Sequence, residues 1–194
     1  MNIRRIQLVL VTLFIGLSLS AATSKVSNAD TPWDTIKTKN HFVLIRHALA
    51  PGYSDPTNFN LRDCATQRNL NDEGRLQAKK IGQLFKQFGI NTANVYSSQW
   101  CRCLETARLL DLGAVFELPA LNSFFENFEQ RDTQTMDFMR WIRDTPLDKP
   151  TILVSHQVNI AAITGYSPAS GEIVFVRKDK NGTLKVINTL PTLY

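Results

Sequence analysis

The chain has 194 residues, 43% of them hydrophobic, with 22 Lys and Arg against 17 Asp and Glu and a formal net charge of +5. That length fits one globular domain and leaves little room for two. Residues 1 to 29 hold Arg4, Arg5 and Lys25 and no acid, so without them the balance is 19 basic to 17 acidic residues. A surface so nearly neutral gives no support for nucleic-acid binding, and any affinity for phosphate must be local.

Met1 to Arg5 form a basic head, Ile6 to Leu19 an apolar run, and small residues follow at Ser20-Ala21-Ala22 and Ser27-Asn28-Ala29. This is the pattern of a secretory signal peptide, with cleavage expected after Ala29 and a domain over 30–194. The apolar run is shorter than the roughly 20 residues of a comfortable membrane span. The expectation is a periplasmic or secreted protein without stable membrane insertion after cleavage. Export places Cys64, Cys101 and Cys103 where a disulfide persists, and three cysteines suggest one bridge and one free thiol. A bond from Cys64 to either of the others would tie the loop after His47 to the turn bearing Arg102; three buried, reduced cysteines are the alternative.

After a polar lead-in over 30–40, Phe42 to Ile45 reads as a buried parallel strand, short, apolar and partly β-branched. From Ala48 to Asn69 the chain carries Pro51, Gly52, Pro56 and several Asn and Asp residues, a loop too long to be a mere connector. Leu70 to Gly74 opens a helix with Leu76, Ile81, Leu84, Phe85 and Phe88 at helical spacing and Gly89 as its stop. Val95-Tyr96-Ser97 is a strand, 99–110 a helix and 114–116 a short strand. An irregular aromatic segment over 119–132 precedes a helix over 134–144, with Met136, Met139, Trp141 and Ile142 as expected buried positions. Thr151 to Ser155 is a strand, 158–164 a helix, and 172–177 with 183–188 a hairpin turning at 179–182. Strands alternate with helices, the pattern of an α/β fold.

Three apolar runs lead into cations or imidazoles: Phe42 to Ile45 into Arg46-His47, Val95-Tyr96-Ser97 toward Arg102, and Ile152 to Ser155 into His156. In open α/β sheets ligands lie beyond the carboxyl ends of the strands, so these junctions can converge on one site. Charge spread over the three equatorial oxygens of a phosphoryl group in flight calls for preorganised cations, which two arginines supply as planar forks. An imidazole nucleophile must be neutral, with one nitrogen held by a hydrogen bond, and a carbonyl in the loop after His47 is the expected holder. Arg102 is expected near a helix N-terminus, whose free N–H groups add anion attraction. His41 reads as a strand-edge residue outside this set. No His-Glu-x-x-His or Cys-x-x-Cys spacing occurs, so neither metal nor cofactor is implied.

With Leu44-Ile45-Arg46-His47, Leu70 to Ala78, Tyr96-Ser97-Ser98 with Arg102, Glu105 and Thr106, and Val154-Ser155-His156 in this order, the chain resembles the histidine phosphatase superfamily. The resemblance implies a three-layer phosphoglycerate mutase-like fold with a mostly parallel central sheet flanked by helices. It implies a metal-independent phosphomonoester hydrolase in which His47 takes the phosphoryl group, Arg46, Arg102 and His156 bind its oxygens, and water hydrolyses the phosphohistidine. Glu126 stands in the region of the family's proton donor, with Glu129 and Asp132 as competitors. Arg68, ahead of Arg62 and Arg75, is a candidate to reach a second anionic group on the substrate, with solvated surface arginines as the alternative, and Ser98 is a further substrate-binding candidate. Trp100, Phe124, Phe125 and Phe128 form either a substrate wall or core packing.

Two departures from the family pattern stand out: Ala48 replaces the usual Gly after Arg-His, and Gln157 follows His156 where the acid phosphatase and phytase branch places an Asp. The short exported form resembles the lipopolysaccharide core heptose phosphate phosphatases, which implies a small phosphorylated substrate, a phosphosugar of the envelope. The alternatives are a protein phosphohistidine phosphatase, separable by an open cleft in place of a tight pocket, and a non-catalytic phosphoryl-binding envelope protein, which would have no need of His47 as nucleophile.

Overall fold

A computed structural model describes residues 31–192; the expected signal peptide lies outside them. A six-stranded sheet forms the middle layer: β1 (His41–Arg46), β2 (Asn94–Ser97), β3 (Val115–Glu117), β4 (Thr151–Ser155), β5 (Ile173–Lys178) and β6 (Leu184–Leu190), in the order β3-β2-β4-β1-β5-β6. The first four of that order run parallel, and the hairpin β5–β6 joins antiparallel. Between them run the helices α1 (Pro32–Thr35), α2 (Asp72–Gln87), α3 (Cys101–Leu109), α4 (Arg131–Asp144) and α5 (Gln157–Thr164). This is the expected three-layer α/β architecture, and each element anticipated from the sequence is present within a few residues of its expected bounds.

Alternation along the central strands produces two cores, one on each face of the sheet. Val43, Ile45, Ile152, Val154 and Phe175 pack with Trp33, Ile81, Phe85 and Ala107, beneath α2 and α3. Phe42, Leu44, Leu153, Val174 and Val176 pack with Phe138, Ile142 and Ile160, beneath α4 and α5. A strand buried on both faces must be apolar at every position, which is why β1 and β4 read as unbroken hydrophobic runs.

The ends of α2 follow from its sequence. Asn71 Oδ1 accepts from Gly74 N at 2.9 Å, and Asp72 and Glu73 stand in the first turn, where the helix dipole favours acids. At the other end Gly89, at φ +78°, lets Ile90 N reach Phe85 O at 3.0 Å and its own N reach Lys86 O at 3.0 Å. Gly74 and Gly82 have a different reason: a Cβ there would lie 2.0 Å from Leu49 O and 2.1 Å from Leu110 O. Their bare backbones let α2 lie against the loop after His47 and against the C-terminal end of α3.

The expected burial of Met136 on α4 does not hold: it is exposed, as are Leu76 on α2 and Phe88 at its C-terminal cap, because the inward faces are set by Gly74, Ala78, Ile81, Gly82 and Phe85 and by Phe138 and Ile142. Hydrophobicity at helical spacing marked the helices but not the exact arc facing the sheet.

Candidate active site

The carboxyl ends of β1, β2 and β4 lie side by side, with Arg46 in register with Ser155 and Ser97 with Val154. The chain leaves each strand at that edge, and the three junctions converge as expected. His47 N donates to Ser155 O and Ser98 N to Val154 O, both at 2.9 Å, extending the ladder one residue past each strand. Arg46, His47, Arg68, Arg102, Glu126 and His156 all line one cavity of about 300 Å³.

His47 is buried and its Nδ1 lies 2.8 Å from Ala48 O. A carbonyl only accepts, so Nδ1 carries the proton and Nε2 presents a lone pair. Burial, then the Arg102 guanidinium, hold the imidazole well below its usual pKa, outweighing the opposing effect of the Ala48 carbonyl. The ring is therefore neutral and fixed in one tautomer. Ala48, where the resemblance led one to expect Gly, does not disturb this: it is buried, and its N–H donates to Thr106 Oγ1 at 3.0 Å.

His156, at the N-cap of α5, stands with its ring centroid 5.5 Å from that of His47. Its Nε2 lies 2.9 Å from Ser98 Oγ and 3.4 Å from Cys103 Sγ. Burial and then Arg102 depress its pKa as well. This redirects the expectation for Ser98. It is buried, does not line the cavity, and its hydroxyl is occupied by His156 and by Asn122 Oδ1 at 3.3 Å. Ser98 holds His156 in place.

Arg102, second residue of α3, is anchored through Nη1, which donates to Asp55 Oδ1 at 2.8 Å, Asp55 Oδ2 at 3.1 Å and Arg68 O at 3.2 Å. Arg46 is anchored through Nη1 to Pro168 O at 3.1 Å, and Arg68 through Nη1 to Ala50 O. The Nε of all three is buried without a hydrogen-bond partner. An unsatisfied buried donor costs about 1–3 kcal/mol, so three around one cavity constitute unused capacity for an oxyanion. Burial and the nearby Arg102 charge lower the pKa of both Arg46 and Arg68, and at Arg68 the Asp55 carboxylate opposes the shift only in part.

Asp55 was not anticipated. Its side chain is buried and also accepts from Trp100 Nε1 at 3.0 Å and Arg68 N at 2.9 Å. Burial alone would raise its pKa, but hydrogen bonding and charge from Arg102, with the Arg68 amide and the Trp100 indole, bring it below the usual carboxylate value. The length of the loop was the only signal in the sequence; which of its acids meets an arginine depends on the fold. The Cys64–Cys101 disulfide ties this loop to the first turn of α3, and Gln67 Oε1 accepts from Cys101 N at 2.9 Å. Cys103 is the free thiol, its pKa pushed up to about 12 by burial.

Glu126 is exposed at the cavity rim, with Oε1 accepting from Asp55 N at 3.2 Å; Glu129 and Asp132 do not line the cavity. Of the expected aromatic wall, Trp100 and Phe125 line it, Phe124 is core and Phe128 faces solvent; Tyr53 and Phe59 complete the wall. Phe59 stacks on Trp100 with centroids 5.1 Å apart, and Tyr53 meets Phe125 edge-on at 5.0 Å. Arg62 is on the surface, paired with Glu117, and Arg75 pairs with Glu105 and Asp72. Among the described residues no cluster of three His, Cys, Asp or Glu side chains could hold a metal ion, and no helix is long and apolar enough to cross a membrane.

Comparison with known proteins points the same way. Over 85 residues the chain is 36% identical to the mitochondrial serine/threonine-protein phosphatase Pgam5 of Drosophila virilis, a match over 43% of this chain and only 26% of that protein. The fold is shared with the protein histidine phosphatase SixA in its tungstate complex, at TM-score 0.55 and 15% identity over 78% of this chain and 97% of that one. A phosphoserine phosphatase of Entamoeba histolytica bound to 3-phosphoglyceric acid superposes at TM-score 0.55 and 14% identity, over 78% of this chain and 96% of that one. Residues 42–123, which run from β1 through Arg102 to the cavity wall, match the model of the histidine phosphatase superfamily (branch 1).

Proposed function

We propose that the protein is a phosphomonoester hydrolase working through a phosphohistidine at His47. The observation that carries this reading is a neutral, Nδ1-tethered imidazole facing three guanidiniums whose Nε donors have no partner. In the reaction His47 Nε2 forms a bond to phosphorus as the bond to the leaving oxygen breaks. Arg46, Arg68 and Arg102 meet the charge on the equatorial oxygens, and the neutral His156 donates its ring N–H to one of them. Glu126, on the cavity wall, protonates the leaving oxygen; Asp55 is unsuited because Arg102 keeps it ionised. Water then attacks phosphorus, the N–P bond breaks, and orthophosphate leaves with the imidazole restored.

A cavity of about 300 Å³ with aromatic walls suits a small phosphorylated molecule better than a folded protein. The substrate we favour is a phosphorylated sugar of the cell envelope, met after export. The Cys64–Cys101 bridge supports an oxidising compartment. A protein substrate is the second reading, favoured by the names of the relatives.

The test is incubation of the purified protein with 4-nitrophenyl phosphate without added metal, quenched in alkali to preserve acid-labile protein-bound phosphate. Turnover and labelling are expected, both absent in His47→Ala. Turnover persisting in His47→Ala would refute the mechanism, and an inert wild type that still binds orthophosphate would make the protein a phosphoryl-binding module.

A further inference from the structure

Asp55 has no place in the phosphoryl-transfer steps, yet it is the most heavily bonded side chain of the cavity. Both its carboxylate oxygens accept from Nη1 of Arg102, one also from Arg68 N and the other from Trp100 Nε1. Its backbone is gripped as well, Asp55 N donating to Glu126 Oε1. With Nη1 of Arg102 fully engaged, rotation of the guanidinium is blocked, and the donors left over are the unpartnered Nε and Nη2, a two-pronged edge.

The same carboxylate sets the charge of the cavity. Three guanidiniums less the carboxylates of Asp55 and Glu126 leave a net of one positive charge, with both imidazoles neutral, so a phosphoryl group takes up all the positive charge the cavity holds. A substrate carrying a second anionic group beside its phosphate would find no unmatched cation for it and would face Asp55 and Glu126, the two carboxylates lining the same space. The other lining of the cavity includes neutral side chains: the rings of Trp100 and Phe125 and the amides of Asn127 and Gln157. These suit a hydroxylated, uncharged body with C–H faces.

We propose that Asp55 is a positioning and specificity-determining residue, which presents the Nε edge of Arg102 to the phosphoryl group and confines the site to phosphate monoesters of neutral polyols, against phosphorylated hydroxy acids. The inference rests on the phosphatase reading and narrows its substrate class.

Glycerol 3-phosphate and 3-phosphoglycerate make the decisive pair, because they differ only in a hydroxymethyl against a carboxylate. Their dissociation constants are measured by calorimetry in a His47→Ala background, which prevents turnover, with Asp55 intact and as Asp55→Asn. With Asp55 intact, glycerol 3-phosphate is expected to bind at least tenfold tighter. In Asp55→Asn the preference is expected to narrow at least fivefold, because the freed charge of Arg102 can meet the carboxylate. With His47 restored, Asp55→Asn is expected to lower kcat on 4-nitrophenyl phosphate by 10- to 100-fold, and Asp55→Glu to recover part of it. A general loss of packing would weaken both ligands alike, and an unchanged preference in Asp55→Asn would overturn the inference. So would a preference for 3-phosphoglycerate with Asp55 intact, a result available even if the variant does not fold. Failure of wild type to turn over any phosphomonoester would remove the phosphatase reading itself; turnover with the wrong preference would remove only the role given to Asp55.

Discussion

The two site imidazoles are buried neutral among cations, and this links their chemistry to folding. Burial first, and Arg102 next, put the folded pKa of His47 and His156 well below the unfolded value of about 6.5. Between those values the unfolded chain binds more protons than the folded one, so stability rises with pH across that window. The contribution is fully present above pH about 6.5 and is lost as pH falls through the folded pKa values, with a slope of about 1.4 kcal/mol per pH unit for each imidazole. Thermal melts between pH 7.5 and 5 are expected to show the loss, and His156→Gln to show a shallower one; an equal slope in the variant would mean that His156 is not buried neutral. Ser98 acts one contact further out. Removing its hydroxyl frees the His156 ring at a cost of about 1.4 kcal/mol, so Ser98→Ala is expected to lower kcat/KM roughly tenfold and to lower the melting temperature as well. Were Ser98 a direct substrate ligand, KM would carry the whole loss.

At the scale of elements, the strand–helix alternation was legible because it is periodic, and the positions of Arg46, His47 and His156 followed because each stands directly after an apolar strand. The residues that close the site were not legible. Asp55 is one of two acids, with Asp63, in a loop without periodicity, and its partner Arg102 is 47 residues away in sequence. Nor did the sequence mark Gly82, whose function is steric: a Cβ would meet the backbone of Leu110, which a side-chain shift cannot relieve. Gly82→Ala is expected to destabilise by about 1–3 kcal/mol, read as a lower urea midpoint, while the activity of the folded fraction is retained. A neutral outcome would show that α2 and α3 can slide apart. The outward-facing Leu76 and Met136 show the complementary limit: composition gives a helix an apolar stripe, but only its neighbours decide which residues are covered.

For the whole molecule, the Cys64–Cys101 bridge closes a loop across 37 residues and secures the segment carrying Asp55 and Arg68 to α3. Loop-closure entropy alone assigns such a bridge about 4 kcal/mol, so reductant is expected to lower the urea midpoint of the wild type and leave that of Cys64→Ala, already lowered, unchanged. An equal response to reductant in both proteins would place the effect elsewhere. The three guanidiniums with idle Nε donors have a consequence for the protein when it is empty. They are assembled by folding, before any substrate arrives, so the ligand-free molecule carries the cost of a cluster that only an oxyanion completes. Arg68→Met should therefore melt above wild type without phosphate and below it at saturating phosphate, the two curves crossing as the anion is titrated. If they cross, function and durability are opposed in this fold, and resistance to unfolding and proteolysis would rise and fall with the supply of substrate.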